Sequence, residues 1–274
     1  METFKAQYRE LLVRGASGAA IVLATLSSAH AGGVYWAVLC FLLSFLSLVE
    51  FYKLLGRQQK LSKGIGYIMA CVVMLSAYHG ARSFSLYLTL SLGTFAVFLI
   101  EILRRQFSGS SASVSNVGGL LTGLIFIVVP WMCIFMLRDL PSGRYLVFAL
   151  FVCTWSCDVF AYLMGSRWGR TPLCDKVSPK KTWEGFVGGV TGSLLSAGFF
   201  AYEIGLPPLP ILYVGLVCGI VGQLGDLAES MIKREFGAKD SGTLIPGHGG
   251  FLDRFDSILI NGVLTYFLFA VVFR

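Results

Sequence analysis

Nine apolar stretches separated by short polar breaks organise this chain, at about 12–29, 32–52, 64–80, 84–103, 118–137, 144–165, 185–205, 208–229 and 251–273. A transmembrane helix needs about 20 mostly apolar residues. The pattern therefore predicts an all-α, polytopic integral membrane protein of about nine transmembrane helices. The first stretch is the most diluted, by Arg14, Gly15 and Gly18, and Ala29-His30-Ala31 behind it has the form of a signal-peptidase site. The next apolar stretch begins almost at once, which favours an uncleaved span.

Composition agrees with the pattern. Of 274 residues, 55% are apolar and 14% charged, whereas soluble domains carry roughly 25% charged residues. Charge then orients the spans. Of the 22 Lys and Arg, all but Arg82, Arg138, Arg144 and Arg274 fall on the side of the N-terminus. Basic residues collect in cytoplasmic loops, so the N-terminus reads as cytosolic. The net charge of +7 calls for no nucleic acid. Anionic lipid attracts basic juxtamembrane residues by about 1 kcal/mol each, and an anionic substrate would use the same field. Six of the seven cysteines fall within predicted spans, and Cys174 lies on the reducing side. Cys153 and Cys157 are one helical turn apart, without the histidine or further cysteine of a zinc set, and read as small buried hydrophobes.

No soluble domain and no internal repeat is evident. About four helices occupy 1–106, a serine- and glycine-rich stretch at 107–117 reads as a flexible cytosolic linker, and about five helices follow in 118–274. Glu50 and Glu101, near inner helix ends where snorkelling is cheap, read as structural.

Three clusters carry the chemistry, all at or near the cytosolic face. Asp158 lies inside the sixth stretch, where a carboxylate usually faces an interior polar site; the alternative is a hydrogen bond between helices. The second cluster is Ser178-Pro-Lys180-Lys181-Thr-Trp-Glu-Gly185, a helix-breaking loop entering the seventh stretch. A helix N-terminus there attracts phosphate, although lysines and a tryptophan also suit a plain topology signal. In the third cluster, Asp226, Glu229, Ser230 and Lys233 share one helical face. Asp253 and Asp256, three apart, open the ninth stretch. Carboxylates from two helix ends suit a hard cation such as Mg²⁺, which takes one or two of them plus substrate phosphates. Gly247, Gly249 and Gly250 around His248 would let backbone amides approach a phosphate. Transporter sites instead lie near the midplane on broken helices, often in repeated halves. Here the charges gather at one surface in one half, which favours an enzyme or a lipid-binding module.

Ser230-x-x-Lys233-Arg234, Lys239-Asp240, Gly242, Pro246 and His248-Gly249-Gly250-Phe-x-Asp253-Arg254-Phe-Asp256 resemble the signature of the phosphatidate cytidylyltransferase (CDP-diacylglycerol synthase) family. The Ser178–Gly185 block and Asp158 with Ala161-Tyr162 resemble two further family blocks. The resemblance covers roughly residues 155–256 in detail. It implies transfer of the cytidylyl group of CTP to phosphatidic acid, giving CDP-diacylglycerol and pyrophosphate. It also implies Mg²⁺ dependence, a homodimer of nine-helix subunits, and a bacterial inner membrane with the site facing the cytosol.

On that chemistry Asp226 and Asp253 are the expected metal ligands. Asp158, Glu229 and Asp256 stand behind them or hold a second cation. Lys180, Lys181, Lys233 and Arg234 hold triphosphate or lipid phosphate. Ser178, Ser230, Lys239, Asp240, Gly249, Gly250 and Arg254 complete the substrate site. His248 either positions the pyrophosphate or protonates it, and Arg254 either joins the site or pairs with Asp253 or Asp256. Two alternatives stay open: a CTP-dependent lipid kinase of the polyprenol kinase type, which would release CDP, and a non-enzymatic anionic-lipid-binding membrane protein.

Overall fold

The computed structural model describes residues 2–56, 61–80, 83–242 and 249–273, without the side chains of 2–14, 83 and 84. The expectation of an all-α membrane protein holds, with one small hairpin added. The helices are α1 (Glu2–Ala31), α2 (Gly33–Leu55), α3 (Lys63–Tyr78), α4 (Ser83–Ser108), α5 (Ser113–Gly123), α6 (Val129–Leu137), α7 (Gly143–Trp168), α8 (Trp183–Ile204), α9 (Pro208–Glu235) and α10 (Leu252–Phe267). A π-helical turn, Leu124–Val128, joins α5 to α6 in one continuous rod, and another, Leu268–Val272, extends α10.

Among the described residues, seven helices rather than nine are long and apolar enough to cross a membrane. The other two expected spans are also helical. Helix α3 has 16 residues, and at 1.5 Å per residue it reaches roughly 24 Å, less than a hydrocarbon core of about 30 Å. The first stretch lies in α1, whose described side chains begin at Gly15.

The expected linker at 107–117 is also mostly helical, with only residues 109–112 between α4 and α5 outside a helix. Glu101, 2% exposed, clamps this turn. It accepts from the Ala112 amide at 2.8 Å and from the Asn116 side-chain amide at 2.7 Å, and it pairs with Arg104. Asn116 in turn accepts from the Ser62 amide at 2.9 Å. A serine- and glycine-rich composition yields a short tethered turn here because a buried carboxylate offers its backbone donor a partner.

The chain forms two compact units, and their boundary does not follow the linker. Met1–Ile21, Gly33–Met132 and Asp240–Asp253 make the first; Val22–Gly32, Cys133–Lys239 and Arg254–Arg274 make the second. The first unit packs around Tyr52, which is fully buried and donates its hydroxyl to the Leu120 carbonyl at 2.9 Å. Its ring lies where a Cβ on Gly66 or Gly123 would come within 2.5 Å, so α3 and α5 both approach α2 through a glycine.

In the second unit, α7, α8 and α9 pack closely. Gly188 lies against Met164 and Gly192 against Phe160, where a Cβ would stand 2.5 Å from the partner's own Cβ in both cases. Overpacking of this kind costs about 1–3 kcal/mol. Gly192→Ala is therefore expected to lower the thermal unfolding midpoint in detergent, and an unchanged midpoint would show that α8 can shift at no cost. Deeper in the unit, Asn261 of α10 donates to Thr154 of α7 at 3.0 Å, so a polar pair joins these two helices.

Between α7 and α8 runs an antiparallel hairpin of β1 (Pro172–Cys174) and β2 (Ser178–Thr182), pairing Pro172 with Thr182 and Cys174 with Ser178. The expected loop at 178–182 is thus a strand. Its end is tied to α8 by Thr182, which caps the helix by accepting from the Gly185 amide at 3.1 Å. Glu184 accepts from the Arg170 and Thr171 amides at 3.1 and 3.2 Å. These bonds satisfy donors that a helix start and a strand edge would otherwise leave open.

Candidate active site

Strand geometry decides what the two lysines of the hairpin do. Successive side chains on a strand point to opposite faces: Lys180 is exposed and Lys181 is half-buried. The Lys181 ammonium reaches Asp226 of α9 at 2.7 Å and donates to the Gln223 carbonyl at 3.3 Å. Gln223, nearly buried, donates its amide to the Phe186 carbonyl at 3.1 Å. A residue one turn before Asp226 thus braces α9 against α8. The sequence reading did not single out Gln223, although its place at the head of the acidic helical face was a signal.

Around this pair the second unit gathers the other expected residues of α7, α9 and α10. Asp158 feels the charges of Asp256 and Asp226 and, with opposite sign, those of Lys181 and Arg254. Asp256 feels Asp226 and Lys233 and contacts the Glu229 carboxyl. Three aspartates from three helices therefore share one electrostatic neighbourhood. Asp158 is exposed, and no helix-to-helix hydrogen bond from it is present among the described residues. Ser230 donates to Asp226 at 3.3 Å.

The remaining cations of α9 differ in burial, Lys233 being buried and Arg234 exposed. Lys233, 9% exposed, pairs with Glu229, 1% exposed, at 3.2 Å, one helical turn away. Arg234 donates from Nε to the Val177 carbonyl at 3.4 Å and from Nη1 to the Ala238 carbonyl at 3.2 Å, binding the end of α9 to the hairpin turn. Arg254 is exposed and, among the described residues, forms no ion pair with Asp256. Ser178 is half-buried at the start of β2, and Lys239 is exposed beyond α9.

The first unit holds the rest of the signature. Asp253, at the start of α10, accepts from the Ser241 amide at 3.1 and 2.9 Å through its two oxygens. It also accepts from the Ser241 hydroxyl at 2.9 Å and the Gly250 amide at 2.9 Å. Gly249 adopts φ +82°, a left-handed conformation that a side chain would strain. Asp240 is exposed. His248 lies outside the described residues. Sequence reasoning passed over Ser241, whose position between Asp240 and Gly242 was its only signal.

Among the described residues, no group of three or more His, Cys, Asp and Glu side chains is gathered tightly enough to hold a metal by itself. Mg²⁺ asks for fewer, commonly taking one or two carboxylates and completing its shell with phosphate oxygens and water. Asp226, 31% exposed and offering only oxygen donors, fits the demand.

Fold and site define a polytopic membrane protein that gathers carboxylates and ammonium groups on three helices and a hairpin. The profile of the cytidylyltransferase family matches residues 12–272, and the chain belongs to that family. It is similar to proteins named phosphatidate cytidylyltransferase from several bacteria. The Synechocystis sp. protein is 47% identical over 137 residues, covering 49% of this chain and 46% of that one. The Bacillus subtilis protein is 36% identical over 185 residues, covering 66% and 68%. The Rickettsia bellii protein is 37% identical over 166 residues, covering 56% and 70%. The chain matches about half the length of the Synechocystis relative.

Proposed function

We propose that this protein transfers the cytidylyl group of CTP to phosphatidic acid, giving CDP-diacylglycerol and pyrophosphate. The observation that carries the reading is the Lys181–Asp226 pair at 2.7 Å, set among the charges of Asp158 and Asp256. In the reaction a phosphatidate oxygen forms a bond to the α-phosphorus of CTP while the bond to the bridging β-phosphate oxygen breaks. The nucleophile is already an anion, so no strong general base is required. What the chain must supply is charge neutralisation and alignment.

An arriving triphosphate gives the Lys181 ammonium a second anionic partner and releases the Asp226 carboxylate. Asp226 is then the carboxylate we assign to the cation, and Asp253 keeps the same assignment from its place in the signature. Bound Mg²⁺ would offset the negative charge of the triphosphate. Lys180, exposed on the opposite face of the strand, would meet lipid or nucleotide phosphate. Lys233 holds Glu229 and so sets the charge around Asp256, and Arg234 holds the hairpin against α9. His248 and Lys239 would serve the leaving pyrophosphate, while Asp158 and Asp256 would stand behind Asp226 or accommodate a second cation.

The basic residues support an N-terminus in the cytosol and a site on the cytosolic face, and the bacterial relatives fit an inner membrane. A homodimer follows from the family resemblance.

Incubation of the purified protein in detergent with CTP, short-chain phosphatidate and Mg²⁺ tests the reading, with pyrophosphate and CDP measured separately. Pyrophosphate equal to the CDP-diacylglycerol formed is the expected result. Release of CDP would instead mean transfer of the γ-phosphate, and neither product would leave only a lipid-binding surface. Loss of one charge-assisted contact is worth about 1.5–3 kcal/mol. Lys181→Ala should therefore raise the nucleotide KM roughly 10- to 100-fold. An unchanged KM would reduce the lysine to a topology signal.

A further inference from the structure

Glu50 is the only acidic residue of α2 and is 1% exposed. It does not snorkel from a helix end, as the sequence suggested, but reaches the signature segment within its own unit. Its Oε2 accepts from the Leu252 amide at 3.0 Å. The Ser241 hydroxyl, which donates to Asp253 at 2.9 Å, lies 3.3 Å from the same oxygen.

The other oxygen, Oε1, has no hydrogen-bond partner among the described residues. It lies against Gly242, where a Cβ would collide with Oε1 and come within 2.6 Å of the carboxyl carbon. A Cβ on Gly250 would collide with Oε2 and with the Ser241 hydroxyl. Two glycines of the signature are therefore small because the Glu50 carboxyl occupies the volume that their side chains would fill. Burying a carboxylate is costly unless its partners return the cost. Every polar partner of Glu50 belongs to, or directly touches, the turn that holds Asp253. An apolar residue would join α2 to this segment more cheaply but could not bind the Leu252 amide.

We propose that Glu50 is a positioning residue for the proposed reaction: seated between Gly242 and Gly250, it holds Ser241 and the first amide of α10 so that Asp253 keeps its orientation toward the cation. The inference rests on the cytidylyl-transfer reading and on the assignment of Asp253 to the cation.

Wild type, Glu50→Ala and Glu50→Gln are purified in detergent and titrated with Mn²⁺, the free ion being followed by electron paramagnetic resonance. The Mg²⁺ concentration for half-maximal pyrophosphate release is measured in parallel. Glu50→Ala is expected to weaken Mn²⁺ uptake at least about tenfold and to raise the Mg²⁺ requirement by a similar factor, with the phosphatidate KM unchanged. Glu50→Gln should recover most of the Mn²⁺ affinity, because its amide oxygen can still accept from Leu252 and its NH₂ can donate to Ser241.

Wild-type Mn²⁺ affinity in Glu50→Ala, with only a smaller active fraction, would overturn the proposal, as would a wild-type protein that takes up no Mn²⁺. Gly242→Ala provides a second route if Glu50→Ala does not fold. Its nearest clashes are all with Glu50, so it should weaken Mn²⁺ uptake by itself but add nothing in a Glu50→Ala background. Wild-type uptake in Gly242→Ala would also overturn the proposal. If wild type releases no pyrophosphate but Glu50→Ala still weakens Mn²⁺ uptake, the positioning role stands and the cytidylyl-transfer reading falls.

Discussion

Asp226→Asn should lower pyrophosphate release at least about a thousandfold, a loss of roughly 4 kcal/mol in transition-state stabilisation, while leaving the helices assembled. The carboxylate meets the Lys181 ammonium at 2.7 Å and the Ser230 hydroxyl at 3.3 Å, and an amide of the same shape can keep the second contact. It cannot supply the negative charge that a cation on the triphosphate requires. Lys181 would retain the Gln223 carbonyl as a partner, and both side chains of the pair reach solvent, so the effect on stability should be small. Steady-state turnover and thermal unfolding in detergent, measured on the same preparation, check both halves. A variant keeping a tenth of wild-type turnover would remove Asp226 from the cation.

Asp253→Asn should be the more damaging change, because stability would fall together with turnover. Both Asp253 oxygens accept hydrogen bonds, and the donors are the Ser241 amide, the Ser241 hydroxyl and the Gly250 amide. Asparagine has one oxygen and one NH₂, so either orientation sets an N–H against a backbone N–H. Hydrogen bonds to a charged group contribute about 1.5–3 kcal/mol each, and losing one or two should cost about 2–4 kcal/mol. The measurement is the unfolding midpoint of the variant beside that of Asp226→Asn. A wild-type midpoint with lost turnover would mean that the turn does not depend on this carboxylate.

The two aspartates look alike in the sequence, each followed three residues later by another acid. Only their surroundings separate them: a lysine and a hydroxyl for Asp226, a web of backbone donors for Asp253. Two lysines of the charged clusters diverge in the same way. Lys181 lies on a strand and reaches across to Asp226, whereas Lys233 lies on the helix and folds back onto Glu229. Their charge was legible, but their partners depend on which elements pack together.

Hydropathy located the long spans within a few residues, since a run of about 20 apolar residues has few alternatives in a membrane. It failed for α3, a helix of only 16 residues, and at 178–182, where a proline between polar residues suggested a loop and pairing with Pro172–Cys174 made a strand. The segment at 107–117 looked flexible because composition reports only local preference, and the carboxylate that tethers it comes from Glu101.

The sequence by itself determined the membrane class, the long helices, the charged segments and the family, because apolar run length and a spaced signature are properties of the chain alone. Tertiary structure decided that Lys181 faces Asp226, that Gln223 meets Lys181 and Ser241 meets Asp253, and that Glu50, 191 residues before Ser241, fills the space left by two glycines. Contacts between residues so far apart arise only when helices pack, and no local pattern encodes them.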